Sequence, residues 1–385
     1  MSSIRLLFVQ PVLAGYRLPF LERLAQVPGI ELRVAASPRV PGSDFASVAA
    51  SPSFPLAQPL CSGWLGNRLF WQHGLRVPAE WGPGDVVVIP GMPRFLSNFK
   101  LFVDASGQGL GVVVASHGWT AHGNPLGALL RRRLLRFADA VVLYTDKEVD
   151  RYRWLGFPSA RLFAMNNALD QEPIQRAIAG WDEARLAAFR QEQGLAPDSR
   201  QLLFCGRLTP KTGLPVLLHA LRELGPGYRL VVVGGGGELV RLQQQAVRLG
   251  LEDRIRWLGP IYEEERLAPW FLTSELFVYP GAIGLSLLHA FGYGLPVVTH
   301  DNLHHQMPEI AALESGRNGL LFREGDAGDL ARQIRQVCAD ESRRRLLAQD
   351  ARRTVAEVYT LDAMVARFAA AVRCASAESR QRASR

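Results

Sequence analysis

The stretch YPGAIGLSLLHAFGYGLPVVTHDN, Tyr279–Asn302, decides the fold. An apolar strand, Glu275–Tyr279, runs into it. Pro280, Gly281 and Gly284 turn the chain into a helix, and Pro296–Thr299 reads as the next strand. Glycine at a strand-to-helix junction lets a ligand approach bare backbone amides at the start of a helix, where anions and sugar hydroxyls are readily bound. Upstream, CGRLTPKTG (Cys205–Gly213) places Arg207 and Lys211 on the loop after another strand. Two such cations can straddle a diphosphate, Arg forking two oxygens and Lys supplying a point charge. A solvated surface pair is the other reading of the same spacing. Together the two segments point to an enzyme that holds a sugar nucleotide by its diphosphate.

Working outward, apolar runs of strand length alternate with helix-length segments. The first half offers Ile4–Val9, Ile30–Ala36, Asp85–Ile89, Gly111–Ala115 and Ala140–Tyr144, with helices at Pro125–Phe137 and Lys147–Leu155. The second offers Gln201–Cys205, Arg229–Val233, Ile255–Leu258, Glu275–Tyr279, Pro296–Thr299 and Gly319–Phe322. Val, Ile and Leu dominate with little period-two polarity, as in parallel strands covered on both faces. The pattern predicts an α/β protein of two doubly wound domains. The expected division is 1–175, a linker region at 176–200, 201–359, a helix at 360–376 packing back toward the N-terminal domain, and a disordered tail at 377–385. The linker holds a helical pattern, Glu183–Gln193, and the turn-rich Gly194–Ser199.

The chain has 385 residues, 48% hydrophobic and 21% charged, with a net charge of +8. That balance favours anionic partners. No aromatic-basic stripe supports nucleic acid, which is not expected. Only Lys100, Lys147 and Lys211 are lysines among 44 basic residues, so a retained Lys211 suggests a need for a compact ammonium. Cys61, Cys205, Cys338 and Cys374 are scattered and read as buried reduced thiols. No apolar run reaches about eighteen residues, so no spanning helix is expected. MSSIRLLFVQPV makes a poor signal peptide and a good first strand, giving a cytoplasmic location by default.

Further candidates lie on loops after strands. Gly234–Gly237 follows Arg229–Val233, but Leu239 stands at the third glycine position of G-x-G-x-x-G, so no nicotinamide or flavin site is expected. His117 lies in ASHGWTAHGN just past Gly111–Ala115, and His122 reads as solvated. Gly15, Tyr16 and Arg17 sit in the loop after the first strand, suited to an acceptor or to capping the helix near Pro19. His300, His304 and His305, before Glu309, lack metal-ligand spacing. Arg131–Arg136 is a basic helical run, with Leu134, Leu135 and Phe137 burying one side. It is read either as a wet face or as a contact with anionic lipid. Trp64, Phe70 and Trp71 form a loop-like aromatic cluster.

The assembled residues resemble the retaining glycosyltransferases of family 4, with the GT-B fold: two Rossmann-like domains facing across a cleft. The similarity is strongest over Gln201–Phe322. G-R-L-T-P-K-T-G is similar to the family's G-R-L…K-G element, which implies that Arg207 and Lys211 bind the donor diphosphate. NNALD (Asn166–Asp170) resembles the family's N-G-hydrophobic-D, His117 resembles its N-terminal site histidine, and PEIAALESGRNGLLF is similar to the stretch after the donor site. The family's paired-glutamate motif is altered: Gly281 stands for the first Glu and His289 for the second. A variant group with P-G-x-x-G-L-x-x-x-H and a later T-H-D-N…Q-M-P-E is similar. His289 would then take over the ribose hydroxyls, with Asp301, Asn302 and Glu309 as substitutes for the first Glu.

The resemblance implies a catalytic set of Arg207, Lys211 and His117. It implies donor binding by Gly206, Gly235, Gly236, Gly281, Ile283, Gly284, Leu285, Ser286, His289, Asn302 and Glu309, and acceptor binding by Gly15, Tyr16 and Arg17. No metal or other cofactor is implied. The implied reaction is transfer of a sugar with retention from a nucleotide-diphosphate donor to a glycan or polyprenyl-diphosphate-linked acceptor, in surface polysaccharide or O-antigen assembly. The protein would be cytoplasmic and peripheral at the inner face of the plasma membrane. A sugar-nucleotide epimerase of the same fold and a nucleotide-sugar-binding pseudoenzyme are the alternatives.

Overall fold

The structure, a computed structural model, describes residues 3–42, 46–57, 59–66, 68–118, 125–196 and 199–385. The chain divides into two compact units: one runs to Asn167 and regains Leu361–Arg385, and the other is Ala168–Thr360. Each is built on a parallel six-stranded sheet.

In the first unit the strands are β1 (Ile4–Gln10), β2 (Ile30–Ala36), β3 (Cys61–Leu65), β4 (Leu69–His73), β5 (Val86–Pro90), β6 (Gly111–Ser116), β7 (Ala140–Leu143) and β8 (Leu162–Ala164). The sheet order is β2-β1-β5-β6-β7-β8, with Leu6 level with Leu32 on one side and Val86 on the other. Val86, Val87, Val88 and Ile89 are all buried, which explains why β5 shows no alternation in sequence. β3 and β4 form a separate antiparallel hairpin. The Trp64, Phe70 and Trp71 segment is therefore a hairpin and not a loop. Phe70 is buried and meets the Trp64 ring edge-on at 5.2 Å.

The helix Leu361–Ala383 completes this unit. Phe368 packs on Phe8 and Phe20, with ring centroids at 5.5 and 5.2 Å. The segment expected to be a disordered tail is helical to Ala383. Polar side chains anchor it: Ser379 Oγ accepts from the Gly84 N–H at 2.9 Å and donates to the Gly109 carbonyl at 2.6 Å, and Arg382 binds Asp139. A tail rich in Ser and Arg looks solvated in sequence, but here those groups cap backbone at the edge of the sheet.

The second unit contains β9 (Arg200–Cys205), β10 (Tyr228–Val233), β11 (Ile255–Gly259), β12 (Leu276–Val278), β13 (Val297–His300) and β14 (Gly319–Phe322), in the order β11-β10-β9-β12-β13-β14. The region read as a linker belongs to this unit and includes the helix Glu183–Glu192. The four cysteines are free thiols, but only Cys338 is fully buried and Cys61 is exposed. Phe137, expected to be buried, is 74% exposed. It ends the helix Pro125–Phe137, beyond the turn that buries Leu134 and Leu135. Among the described residues no helix is long and apolar enough to cross a membrane.

Candidate functional site

In the second sheet the strand order reverses between β9 and β12. Loops leaving the carboxyl ends of two such strands diverge and leave a crevice, the usual ligand position in open α/β sheets. The loop after β9 is Gly206–Gly213, carrying Arg207 and Lys211. The loop after β12 is Tyr279–Leu285, leading to the helix Ser286–Gly292. Both cations are exposed.

Backbone contacts hold the Arg207–Lys211 loop. The Gly206 N–H donates to the Val233 carbonyl at 3.0 Å and the Leu208 N–H to the Gly235 carbonyl at 2.9 Å. Gly234 has φ +138°, and a Cβ there would lie 2.9 Å from the Gly206 carbonyl carbon, inside contact distance of its oxygen. On the other side the Ala282 N–H donates to the Lys211 carbonyl at 3.1 Å. A Cβ on Gly281 would stand 2.5 Å from the Thr212 carbonyl carbon. The Gly234 and Gly281 α-carbons thus face the cation-bearing loop itself. Gly235 is half-buried and Gly236 exposed beside it.

Gln306, which is buried, braces the second loop. Its Oε1 accepts from the Ile283 N–H at 2.8 Å, and its Nε2 donates to Thr299 Oγ1 at 2.9 Å and to the His300 carbonyl at 3.0 Å. Ile283 is buried, while Gly284, Leu285 and Ser286 are half-buried. Glu309 is buried, with Oε2 3.9 Å from where a Cβ on Gly284 would stand. Asn302 donates from Nδ2 to Glu324 at 2.7 Å, and Asp301 accepts from the Glu324 N–H at 3.1 Å, so both order the loop after β13. His305 contacts Glu324 at 2.7 Å. His300 is buried, and burial lowers its pKa. His289 Nε2 lies 2.9 Å from Glu264 Oε1.

In the first unit four side chains meet at the carboxyl ends of β1, β6, β7 and β8. Arg17 is buried, donating from Nη2 to the Tyr144 hydroxyl at 2.6 Å and from Nη1 to Asn167 Oδ1 at 3.1 Å. The His117 ring stacks on Tyr144 with centroids 4.0 Å apart. Burial, reinforced by the charges of Arg17 and Arg131, lowers the His117 pKa to about 4, so the imidazole is neutral near pH 7. Arg131 is half-buried and is not part of a wet face, whereas Arg132, Arg133 and Arg136 are exposed. Gly15 opens a short turn, Tyr16 is 54% exposed, and Arg17 points inward. Asn166, at φ +48°, donates from Nδ2 to Asp146 at 2.7 Å and fixes the corner that presents Asn167. His122 lies outside the described residues.

Sequence reasoning missed Gln306, Glu264, Tyr144 and Asn167. Gln306 lies in the Q-M-P-E string, and Asn167 in NNALD. Tyr144 and Glu264 carried no local signal, since their partners are distant in the chain.

Residues 187–354 match the family Glycosyl transferases group 1. The chain is 31% identical over 214 residues to D-inositol 3-phosphate glycosyltransferase 2 of Catenulispora acidiphila, covering 51% of this chain and 47% of that protein. It is 28% identical over 182 residues to the lipopolysaccharide core biosynthesis glycosyltransferase LpsE of Rhizobium meliloti, covering 46% and 51%. The chain spans about half the length of the curated relatives it matches. The Anabaena protein Alr3699/HepE, solved in complex with UDP, superposes with a TM-score of 0.68 at 17% identity over 96% of this chain and 98% of that one. The fold is thus the expected α/β pair of Rossmann-like parallel-sheet units.

Proposed function

We propose that this chain, whose residues 187–354 match group 1 glycosyl transferases, moves a sugar from a nucleotide-diphosphate donor to an acceptor hydroxyl with retention at the anomeric carbon. The observation that carries the reading is the pair Arg207 and Lys211, held by backbone contacts with Gly234, Gly235 and Ala282 at the point where the strand order reverses. The UDP complex of the Anabaena protein of similar fold supports a nucleotide ligand of this kind.

As the glycosidic bond breaks, negative charge builds on the departing diphosphate and the sugar takes on oxocarbenium character. Fixed cations and backbone amides aimed at that charge stabilise the transition state more than the ground state. Arg207 and Lys211 fill that role in this proposal, which calls for no metal. His117, neutral, serves as a hydrogen-bonding group toward the sugar. The acceptor is assigned to the first unit, to the loop of Gly15, Tyr16 and Arg17.

The acceptor class we favour is a glycan or a polyprenyl-diphosphate-linked chain in surface polysaccharide assembly, in line with the relative named for lipopolysaccharide core biosynthesis. Contact with anionic membrane is part of the proposal. The helix Pro125–Phe137 exposes Leu129 at 50%, Leu130 at 42% and Phe137 at 74%, together with Arg132, Arg133 and Arg136. Apolar and basic groups on one exposed helix suit a headgroup layer.

A thermal-shift panel of UDP-, GDP- and dTDP-sugars tests the donor site, repeated with Arg207→Ala and Lys211→Ala. The expected result is stabilisation by one nucleotide class that both substitutions weaken. Stabilisation unchanged in both variants would move the ligand elsewhere.

A further inference from the structure

Glu264 opens the helix Glu264–Leu272, which follows the loop after β11. Its surroundings place it at the carboxyl end of the sheet. Gly259, the last residue of β11, accepts from the Gly234 N–H at 2.8 Å, and the Pro260 ring comes within 3.5 Å of where a Cβ on Gly235 would stand. On β9, the thiol of Cys205, immediately before Gly206, is pushed up to about 12 by burial and then by the charge of Glu264. The helix that Glu264 opens therefore begins just beyond a segment packed on the loop that carries Gly235.

Two donors hold this carboxylate. His289 Nε2 stands 2.9 Å from Oε1 and 3.1 Å from Oε2, and the Tyr293 hydroxyl donates to Oε2 at 2.7 Å. Burial alone would raise the Glu264 pKa. The hydrogen bond and charge of His289, with the bond from Tyr293, outweigh it and keep the group ionised.

A carboxylate offers about four acceptor positions, and these two donors leave capacity over. Its negative charge repels phosphate, so a ligand bound beside the cation loop meets it with a hydroxyl donor. Both carboxylate oxygens lie at Nε2, so His289 meets Glu264 as a donor from that nitrogen. The two side chains are 22% and 12% exposed, neither sealed nor on open surface. The acceptor capacity left on this carboxylate, beside an anion-binding loop, matches the vicinal diol of a ribose.

We infer that Glu264 is a residue of the ribose subsite, accepting hydroxyls in the orientation that His289 and Tyr293 fix. The inference rests on the proposed donor site and adds to it a carboxylate from a different helix. A tie between two helices, the purely structural role, would be indifferent to the sugar of the nucleotide.

The test measures the affinities of UDP, GDP and ADP against their 2′-deoxy and 3′-deoxy counterparts by calorimetry, for the full chain and for Glu264→Gln and Arg207→Ala. The nucleotide that binds should favour the ribo form by tenfold or more. Glu264→Gln should lower ribo affinity about tenfold, to the deoxy level, and leave deoxy affinity unchanged, which also reports an intact fold. Arg207→Ala should weaken ribo and deoxy forms alike. Arg207-dependent binding without ribo preference, or with a preference that Glu264→Gln retains, overturns the subsite alone. No binding of any nucleoside diphosphate overturns the donor site and the subsite together.

Discussion

The α-carbon of Gly281 lies against the backbone of Lys211, where the Lys211 carbonyl accepts from the Ala282 N–H at 3.1 Å. A Cβ on Gly281 would fall 2.5 Å from the Thr212 carbonyl carbon, and backbone cannot yield as a side chain does. Gly281→Ala should therefore cost about 1–3 kcal/mol of stability through overpacking and displace Lys211 from the donor. Gly284→Ala is the control, because its nearest neighbours are flexible side-chain atoms at 3.8–4.0 Å. Thermal melts with and without the donor nucleotide should show the first variant losing both stability and ligand response, and the second keeping its stability.

Gln306 leads to a related outcome. Gln306→Leu would leave the buried Ile283 N–H without its acceptor, at a cost of about 1–3 kcal/mol. Because the brace holds the loop beside the cations, donor affinity should fall along with the melting temperature.

His117 makes stability depend on pH in a defined sense. Its folded pKa, about 4, lies below the ordinary 6.5. Between those values the unfolded chain takes up a proton that the native chain refuses. This contribution is fully present above about pH 6.5 and is lost as pH falls toward 4, amounting to a few kcal/mol, or about 1.4 kcal/mol per pH unit. Melting temperatures of wild type and His117→Gln from pH 7.5 down to 4.5 should converge as the pH falls. Turnover should show no His117 ionisation between pH 6 and 9.

Arg132, Arg133 and Arg136 are exposed on the helix Pro125–Phe137. Each basic group near an anionic surface contributes about 1 kcal/mol. Replacing all three by Glu should release the protein from vesicles rich in anionic lipid in a flotation assay, while activity on a short soluble acceptor persists. Unchanged flotation would remove the membrane from the proposal.

Ser379 is fully buried between Gly84 and Gly109. Ser379→Ala should cost about 1–3 kcal/mol, the penalty for a buried Gly84 N–H without an acceptor. The exposed Ser384→Ala should leave the melting temperature unchanged.

The eleven strands read from sequence, from Ile4–Val9 to Gly319–Phe322, were legible because a parallel strand buried on both faces is a continuous apolar run. β3 and β4 were missed because they lie outside the sheets and mix polar with apolar residues. β8 is only three residues long. Arg207, Lys211 and Gly281 could be singled out from local spacing. The backbone-to-backbone reason for Gly281 could not, since Lys211 is its neighbour only after β9 and β12 pair. The same holds for Tyr144 beside Arg17 and for Glu264 beside His289. Each pair is made by the topology, and no local periodicity announces it.

The first unit draws its last helix, Leu361–Ala383, from the far side of the second unit in the chain. During synthesis the ribosome delivers all of β9–β14 before that helix emerges. The apolar surface around Phe8 and Phe20 that Phe368 covers must wait unclosed through most of translation, while the later unit is free to fold ahead of the earlier one. Chaperone demand should therefore be greatest for the N-terminal portion of a nascent chain, and premature termination just before Leu361 should yield an aggregation-prone product.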